Sequence, residues 1–194
     1  MQYVKYIEKD FEQNGPVCVL ASYANVIVAF SQGRYTVKDI LSKYNDFYKI
    51  VSNSEKIELS KKGAKIFRTV FQEKIGNAFN KYCTDNGGLR GYDFIKYIHD
   101  NNLLNTNSHC KIIDYKAQTT PIPLSDLNTL KTKLSTLDCL CIVTYPSGNA
   151  NCHSVLTGYD PTNSLFVKDS EKNDFDSRDF LSTPIITEYI LFEK

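Results

Sequence analysis

Strand-like runs crowd the second half of the 194-residue chain, whereas helix-like periodicity fills the first half. Short apolar runs bounded by turn-forming residues predict β-strands. The predicted strands cover residues 111–115, 139–145, 153–159, 165–169 and 185–192, with a helix at about 125–134 after the first of them. A helical half followed by a sheet, rather than a regular alternation of strand and helix, indicates an α+β fold.

Apolar residues at helical spacing predict four helices in the first half. The first helix opens at Pro16, because proline suits the first helical position, and runs to Phe30 with one apolar stripe. Thr36 and Asp39 resemble a capping box that begins the second helix. The third and fourth helices are predicted at about residues 60–82 and 92–102, before a seam near residues 103–110.

Length and composition predict one globular domain, with a helical half at about 13–105 and a β half at about 106–194. The net charge of +1 argues against a dedicated nucleic-acid or membrane-surface binder, which needs a clear basic excess. No apolar run approaches the roughly 20 residues of a membrane span. Without a signal-peptide pattern at the N-terminus, we expect a cytoplasmic protein, or one exported without a cleavable signal, for example as an effector.

The six cysteines would suit three disulfides in a secreted protein. We expect them to be mostly free thiols, because a chain of this length does not need disulfides to fold. Cys139 and Cys141 alternate on a strand-like run and are expected to be buried there. The chain lacks Cys-x-x-Cys pairs, a Walker A loop and a GxGxxG fingerprint, so neither a metal nor a nucleotide cofactor is expected.

Cys18 is the cysteine best placed for nucleophilic catalysis. It lies in the first turn of the first predicted helix, where the helix dipole and free N–H groups favour a thiolate. Gln13, five residues earlier, could donate its amide N–H to an oxyanion. His153 opens a predicted strand sixteen residues before Asp169 on the next strand. A hairpin of that length would bring the carboxylate beside the imidazole and fix its tautomer.

Each of these residues alone has an ordinary structural explanation. A cysteine on an apolar helix is usually a core residue, and a histidine at a strand start is usually a surface or satisfied core residue. Considered alone, Gln13 is interpreted as a surface residue, Asp169 as a turn residue, and Gly87 with Gly88 as a loop. The order of these segments along the chain is more specific than any one of them.

That order resembles the papain family of cysteine peptidases. Residues 13–22, with Gln13 and Cys18, resemble the family's segment of oxyanion glutamine, nucleophile and helix start. Asn86-Gly87-Gly88-Leu89 is similar to its Asn-Gly-Gly stretch, and residues 153–159 resemble its histidine strand. Val167-Lys168-Asp169-Ser170 resembles its Val-Lys-Asn-Ser, with Asp where Asn is usual. The resemblance implies a papain-like fold, in which a helical subdomain packs against a β-sheet or barrel subdomain with the active-site cleft between them.

The resemblance also implies roles for the candidate residues. Cys18 would attack an acyl carbon, His153 would take and return the proton, and Asp169 would hold the imidazolium. Gln13 and the backbone N–H of Cys18 would bind the oxyanion. The implied partner is a peptide or protein substrate, with no cofactor, metal, nucleic acid or membrane.

Two positions depart from the family's pattern. Glu171 stands where a tryptophan usually follows Asn-Ser, and Gly15 replaces the cysteine that forms a disulfide near the nucleophile. Asp169 at the third position also resembles bacteriocin-leader peptidases and bacterial effector deamidases. Three functions therefore stay open: a cysteine peptidase, a glutamine deamidase or transglutaminase acting on a side-chain amide, and a non-catalytic papain-like binding protein. A cleft in which Gly87 and Gly88 pair with a substrate backbone would favour the peptidase.

Overall fold

The structure is a computed structural model. It describes residues 3–11, 18–42, 95–96, 99, 109–136, 138–147, 152–162, 164–171 and 174–194. The strands are β1 (Lys111–Ala117), β2 (Cys139–Pro146), β3 (Cys152–Tyr159), β4 (Leu165–Asp169), β5 (Asp174–Ser177) and β6 (Glu188–Glu193). The described α-helices include α1 (Cys18–Phe30) and α2 (Leu124–Thr136), and Val4–Tyr6 and Phe180–Ser182 form 3-10 helices.

The six strands form one open sheet in the order β1-β6-β2-β3-β4-β5. Every neighbouring pair is antiparallel, and β1 and β5 are the edge strands. The predicted mixture of helices and sheet is therefore confirmed. In this order β3 lies between β2 and β4, so residues at one end of β3 can contact side chains from both neighbours.

Four of the five predicted strands begin within one residue of the predicted start, and two features differ. The last strand begins at Glu188 instead of Ile185, because the backbone N–H of Ile185 donates to Thr183 in a turn. The edge strand β5 was not predicted. Its sequence, Asp-Phe-Asp-Ser, is short and largely polar, and therefore has the composition of a turn.

The sheet is covered on both faces by helices. On one face, α1 packs against β2, β3 and β4, over Leu140, Ile142, Leu156 and Phe166. On the other face lie α2 and the second 3-10 helix, over Cys139, Cys141, Val143, Val155 and Val167. Alternate residues of one strand therefore belong to different hydrophobic cores. The predicted burial of Cys139 and Cys141 is confirmed, since both are 0% exposed.

The central helix α1 is buried far beyond the single stripe that its sequence predicts. Every residue from Leu20 to Phe30 is buried, including Asn25, whose Oδ1 accepts a hydrogen bond from the backbone N–H of Glu8 at 3.0 Å. The predicted stripe residues Leu20, Ala21, Ala24 and Val28 are buried. The rest of the helix is buried as well, because segments outside the sheet share its core cluster, among them Tyr3, Val4, Ile7, Val37, Ile40 and Ile95. Cys18, where the described helix begins, is only half-buried.

The predicted capping box is confirmed. The N–H of Thr36 donates to Asp39 Oδ2 at 2.8 Å, the N–H of Asp39 donates to Thr36 Oγ1 at 3.0 Å, and residues 37–42 are helical. The predicted helix at 60–82 lies outside the described residues, and of the next predicted helix residues 95, 96 and 99 are described and helical. Within the described part of the chain, no helix combines the length and apolar character that crossing a membrane requires.

The cysteines described by the structure are all free thiols. They are Cys18, Cys110, Cys139, Cys141 and Cys152. Burial raises the pKa of Cys110 to about 12 and that of Cys139 to about 11. These two thiols are therefore protonated, and poor nucleophiles, at neutral pH.

Candidate active site

The structure joins His153 and Asp169, as the hairpin spacing predicts. His153 Nε2 lies 2.8 Å from Asp169 Oδ1, and the two residues are 5% and 2% exposed. His153 is the second residue of β3, and Asp169 is the last residue of its antiparallel neighbour β4. Two adjacent strands of a covered sheet thus hold the imidazole and the carboxylate in a fixed, water-poor position.

The thiol of Cys18 lies at the same place. It lies close enough to the His153 imidazole to raise the pKa of the ring, and it also affects the pKa values of Tyr145 and Cys152 at the neighbouring strand ends. Burial lowers the pKa of His153, but the hydrogen bonds with Cys18 and Asp169 and their negative charges outweigh burial and raise the pKa to about 9. The ring is therefore an imidazolium at neutral pH, and both of its nitrogens donate hydrogen bonds.

Glu171 contacts the other nitrogen of the same ring. Its Oε2 lies 3.1 Å from His153 Nδ1, and its side chain is 59% exposed. The backbone N–H of Glu171 donates to Asp169 Oδ1 at 3.0 Å, the oxygen that also binds the ring. One carboxylate oxygen therefore orients both the imidazole and the turn that carries Glu171. The sequence marks position 171 only as a departure from a family pattern and does not predict this contact.

An aromatic pair covers the His153 ring. Tyr145 is the direct partner of His153 in the β2–β3 ladder, and the two rings meet edge to face, with centroids 5.6 Å apart and planes at 89°. Phe180 packs on Tyr145 at 5.0 Å between centroids. We did not predict this contact, although pairing the end of one predicted strand with the start of the next would have indicated Tyr145.

Lys168 connects β4 to the N-terminal segment. The residue is 1% exposed, and its Nζ donates to the carbonyl oxygens of Lys9 at 2.6 Å and Phe11 at 2.9 Å. These hydrogen bonds satisfy the buried ammonium group and fix the chain two residues before Gln13. Gln13, Gly87 and Gly88 themselves lie outside the described residues.

The other two histidines have contacts of their own. His99 Nδ1 lies 3.1 Å from the hydroxyl of Tyr23 in α1. The His109 ring packs against Tyr35, with centroids 5.5 Å apart. His153 is thus the histidine that the structure joins to Cys18.

His153, Asp169 and Glu171 also form the group of metal-ligating side chains found among the described residues. Their ligand atoms lie within 4.8 Å of one another. However, the two carboxylates bind opposite nitrogens of the imidazole, and one ion can bind only one of these nitrogens. The arrangement is therefore better suited to holding a charged ring between two acceptors than to chelating a metal.

The chain matches no family model, no curated protein and no solved structure in comparisons with known proteins. Chemical interpretation therefore depends on the geometry. A half-buried thiol next to an imidazolium, whose far nitrogen is held by a buried carboxylate, can supply a nucleophile and return a proton to a leaving group.

Proposed function

We propose that the protein is a cysteine peptidase of the papain-like kind, with Cys18 as nucleophile, His153 as general acid and base, and Asp169 as the residue that orients the ring. The observation that supports this proposal is the meeting of these side chains from the ends of α1, β3 and β4. The remaining members are Gln13 as oxyanion donor and Gly87 with Gly88 as the surface that pairs with substrate backbone. The proposed substrate is a peptide or protein.

In the proposed reaction, the Cys18 sulfur attacks the carbonyl carbon of the scissile amide. The oxyanion accepts hydrogen bonds from the backbone N–H of Cys18 and the side chain of Gln13. His153 transfers its Nδ1 proton to the leaving nitrogen, and the C–N bond breaks to give an acyl-enzyme. Water, deprotonated by the neutral imidazole, then hydrolyses the thioester and returns the thiol–histidine pair to its starting state.

Asp169 supports these steps from the buried side of the ring. Its hydrogen bond to Nε2 leaves Nδ1 as the nitrogen that faces Cys18 and the leaving group. Because the Asp169 carboxylate is 2% exposed, its charge acts on the imidazolium with little screening by water. The same residues could act on a glutamine side chain, which would make the protein a deamidase or transglutaminase.

Incubation with a peptide library under reducing conditions, read by mass spectrometry, tests the proposal. We expect new peptide termini from the wild-type protein and none from Cys18→Ala. Cys152→Ser is the matched control, because Cys152 is an exposed free thiol adjacent to His153 in the chain. Cleavage should survive this substitution.

The other two functions give different products in the same experiment. Glutamine deamidation without new termini would replace the peptidase proposal with the side-chain amide reaction. A library left unchanged by a protein that binds peptides would favour the non-catalytic papain-like protein. Cleavage that persists in Cys18→Ala would remove Cys18 from the mechanism.

A further inference from the structure

Glu171 is held next to His153 on the solvent side of the ring. Its carboxylate lies 3.1 Å from Nδ1 and is 59% exposed, so it is both positioned and accessible. Its backbone is fixed by the hydrogen bond to Asp169 Oδ1 at 3.0 Å. Residues 170 and 171 form the turn that directly follows β4, the strand that pairs with the His153 strand β3. The fold, and not the conformation of one side chain alone, therefore sets the location of Glu171.

The proposed reaction, on which this inference rests, brings a particular part of the substrate to that location. The leaving nitrogen must approach His153 Nδ1 within hydrogen-bonding distance to receive its proton. Glu171 Oε2 already occupies that distance from Nδ1. The residue that follows the scissile bond is attached to the leaving nitrogen. Its side chain therefore passes close to the carboxylate of Glu171.

Among the described residues, two carboxylates contact the His153 ring. Asp169 and Glu171 flank a single imidazolium, and Glu188 acts on the adjacent Cys152. The ammonium of Lys168 is turned away toward two backbone carbonyls of the N-terminal segment. The guanidinium of Arg178 lies 5.7 Å from the centre of the Phe180 ring, and its positive charge acts on Tyr145. A cation from a substrate would find a carboxylate that is only partly neutralised.

We propose that Glu171 selects substrates in which the residue after the scissile bond is lysine or arginine. The substrate cation pairs with the Glu171 carboxylate and replaces its contact with Nδ1. The ring nitrogen is then left to Cys18 and the leaving nitrogen. We expect a preference of about fivefold in kcat/KM over alanine at that position, the upper range for one exposed ion pair.

The first test needs no peptide cleavage. Cys18 is labelled with two methanethiosulfonate reagents, one carrying a trimethylammonium group and one a sulfonate group, and the rates are read by peptide mapping. The ratio of the cationic to the anionic rate should fall about fivefold in Glu171→Gln. Asp176→Asn is the matched control, because it removes one exposed carboxylate from the neighbouring strand β5 and leaves the ring contacts intact. The ratio should be unchanged there.

The second test uses peptides that differ only in lysine, alanine or glutamate after the scissile bond. Wild-type protein should prefer lysine, and Glu171→Gln should lose that preference. Cleavage without a lysine preference, or a labelling ratio that Glu171→Gln leaves unchanged, overturns the role of Glu171 while the peptidase proposal stands. A labelling ratio that responds to Glu171→Gln in a protein that cleaves none of the peptides supports cation recognition and overturns the peptidase.

Discussion

The two nitrogens of the His153 ring lie in different surroundings. Nε2 faces the interior, where Asp169 is 2% exposed and Tyr145 packs against the ring. Nδ1 lies 3.1 Å from the carboxylate of Glu171, which is 59% exposed, and in the proposed reaction Nδ1 also serves the half-buried Cys18. The buried side is built from paired strands and therefore has one arrangement. On the other side, the buried ring meets the exposed carboxylate of Glu171. In the proposed reaction, this is the side that the substrate approaches.

The largest effect should come from removing the buried acceptor. Asp169→Ala leaves Nε2 without its hydrogen bond and is expected to lower kcat/KM by about 10³-fold to 10⁴-fold, the scale of a lost orienting carboxylate. Asp169→Asn keeps an acceptor oxygen at the same place and should lose less. Steady-state kinetics on both variants, with thermal unfolding as a check on the fold, provide the comparison.

If Asp169→Asn is as inactive as Asp169→Ala, the negative charge is required as well as the acceptor. In that case the bacterial effector deamidases become the better model for the chemistry. Equal activity of wild type and Asp169→Ala would contradict an orienting role altogether.

A smaller effect is expected on the exposed side, in the reactivity of the cysteines. Paired with an imidazolium, Cys18 should react with iodoacetamide at about pH 6 roughly 10²-fold faster than an ordinary thiol. Burial raises the pKa of Cys110, Cys139 and Cys141, so these thiols should label only after unfolding. A short pulse followed by peptide mapping gives the order of labelling.

Cys152 is the informative internal control, because it is exposed and adjacent to His153, yet burial and the charge of Glu188 raise its pKa. It should label after Cys18. In His153→Ala, Cys18 should no longer be labelled before the other cysteines. If another cysteine labels first in the native protein, Cys18 is a core residue and not the nucleophile.

The pH dependence of kcat/KM reports the pKa of His153, which is set by the groups on both sides of its ring. Burial lowers the pKa of His153, but hydrogen bonding and negative charge from Cys18 and Asp169 raise it to about 9, so the imidazolium persists below that pH and is lost above it. The kcat/KM should therefore fall on the alkaline side, by about tenfold per pH unit beyond the midpoint. Asp169→Asn removes one of the charges that hold the proton, so its alkaline midpoint should lie at lower pH. An identical midpoint in wild type and Asp169→Asn would show that Asp169 does not stabilise the imidazolium.

The sequence predicts the buried side of this site better than the exposed side. His153 and Asp169 lie on successive strands whose starts are predicted within one residue, so their contact follows from hairpin geometry. The contact between Glu171 and His153 depends on the chain beyond the end of β4 and on a turn fixed by Asp169. Neither feature can be inferred from the spacing of apolar residues in the sequence. For the same reason the polar edge strand β5 was missed.

The burial of α1 was underestimated because its second layer comes from distant chain segments. Asn25 receives its hydrogen bond from Glu8, and Tyr23 meets His99, a separation of 76 residues. The spacing of apolar residues in the sequence indicates only one face of a helix. The polar groups of Asn25 and Tyr23 are hydrogen-bonded by partners that the tertiary fold supplies.

The smallest effect is expected from the aromatic cover of the ring. Tyr145→Leu keeps an apolar side chain at the end of β2 but removes the edge-to-face contact with His153 and the contact with Phe180. An aromatic pair contributes about 0.5–1.5 kcal/mol beyond buried area, so unfolding free energy should fall by about that amount. Tyr159→Leu is the matched control, because Tyr159 ends β3, the strand of His153, at the end away from the site, and it packs on the α2 face of the sheet. Both substitutions should lower stability in denaturant titrations. Only Tyr145→Leu should also lower kcat/KM, by a few-fold, because it alone loosens the His153 ring that must point at Cys18.

Tyr145→Phe retains the aromatic ring and should restore activity. If Tyr159→Leu slows turnover as much as Tyr145→Leu, the loss reflects general destabilisation of the sheet, and Tyr145 has no part in positioning His153.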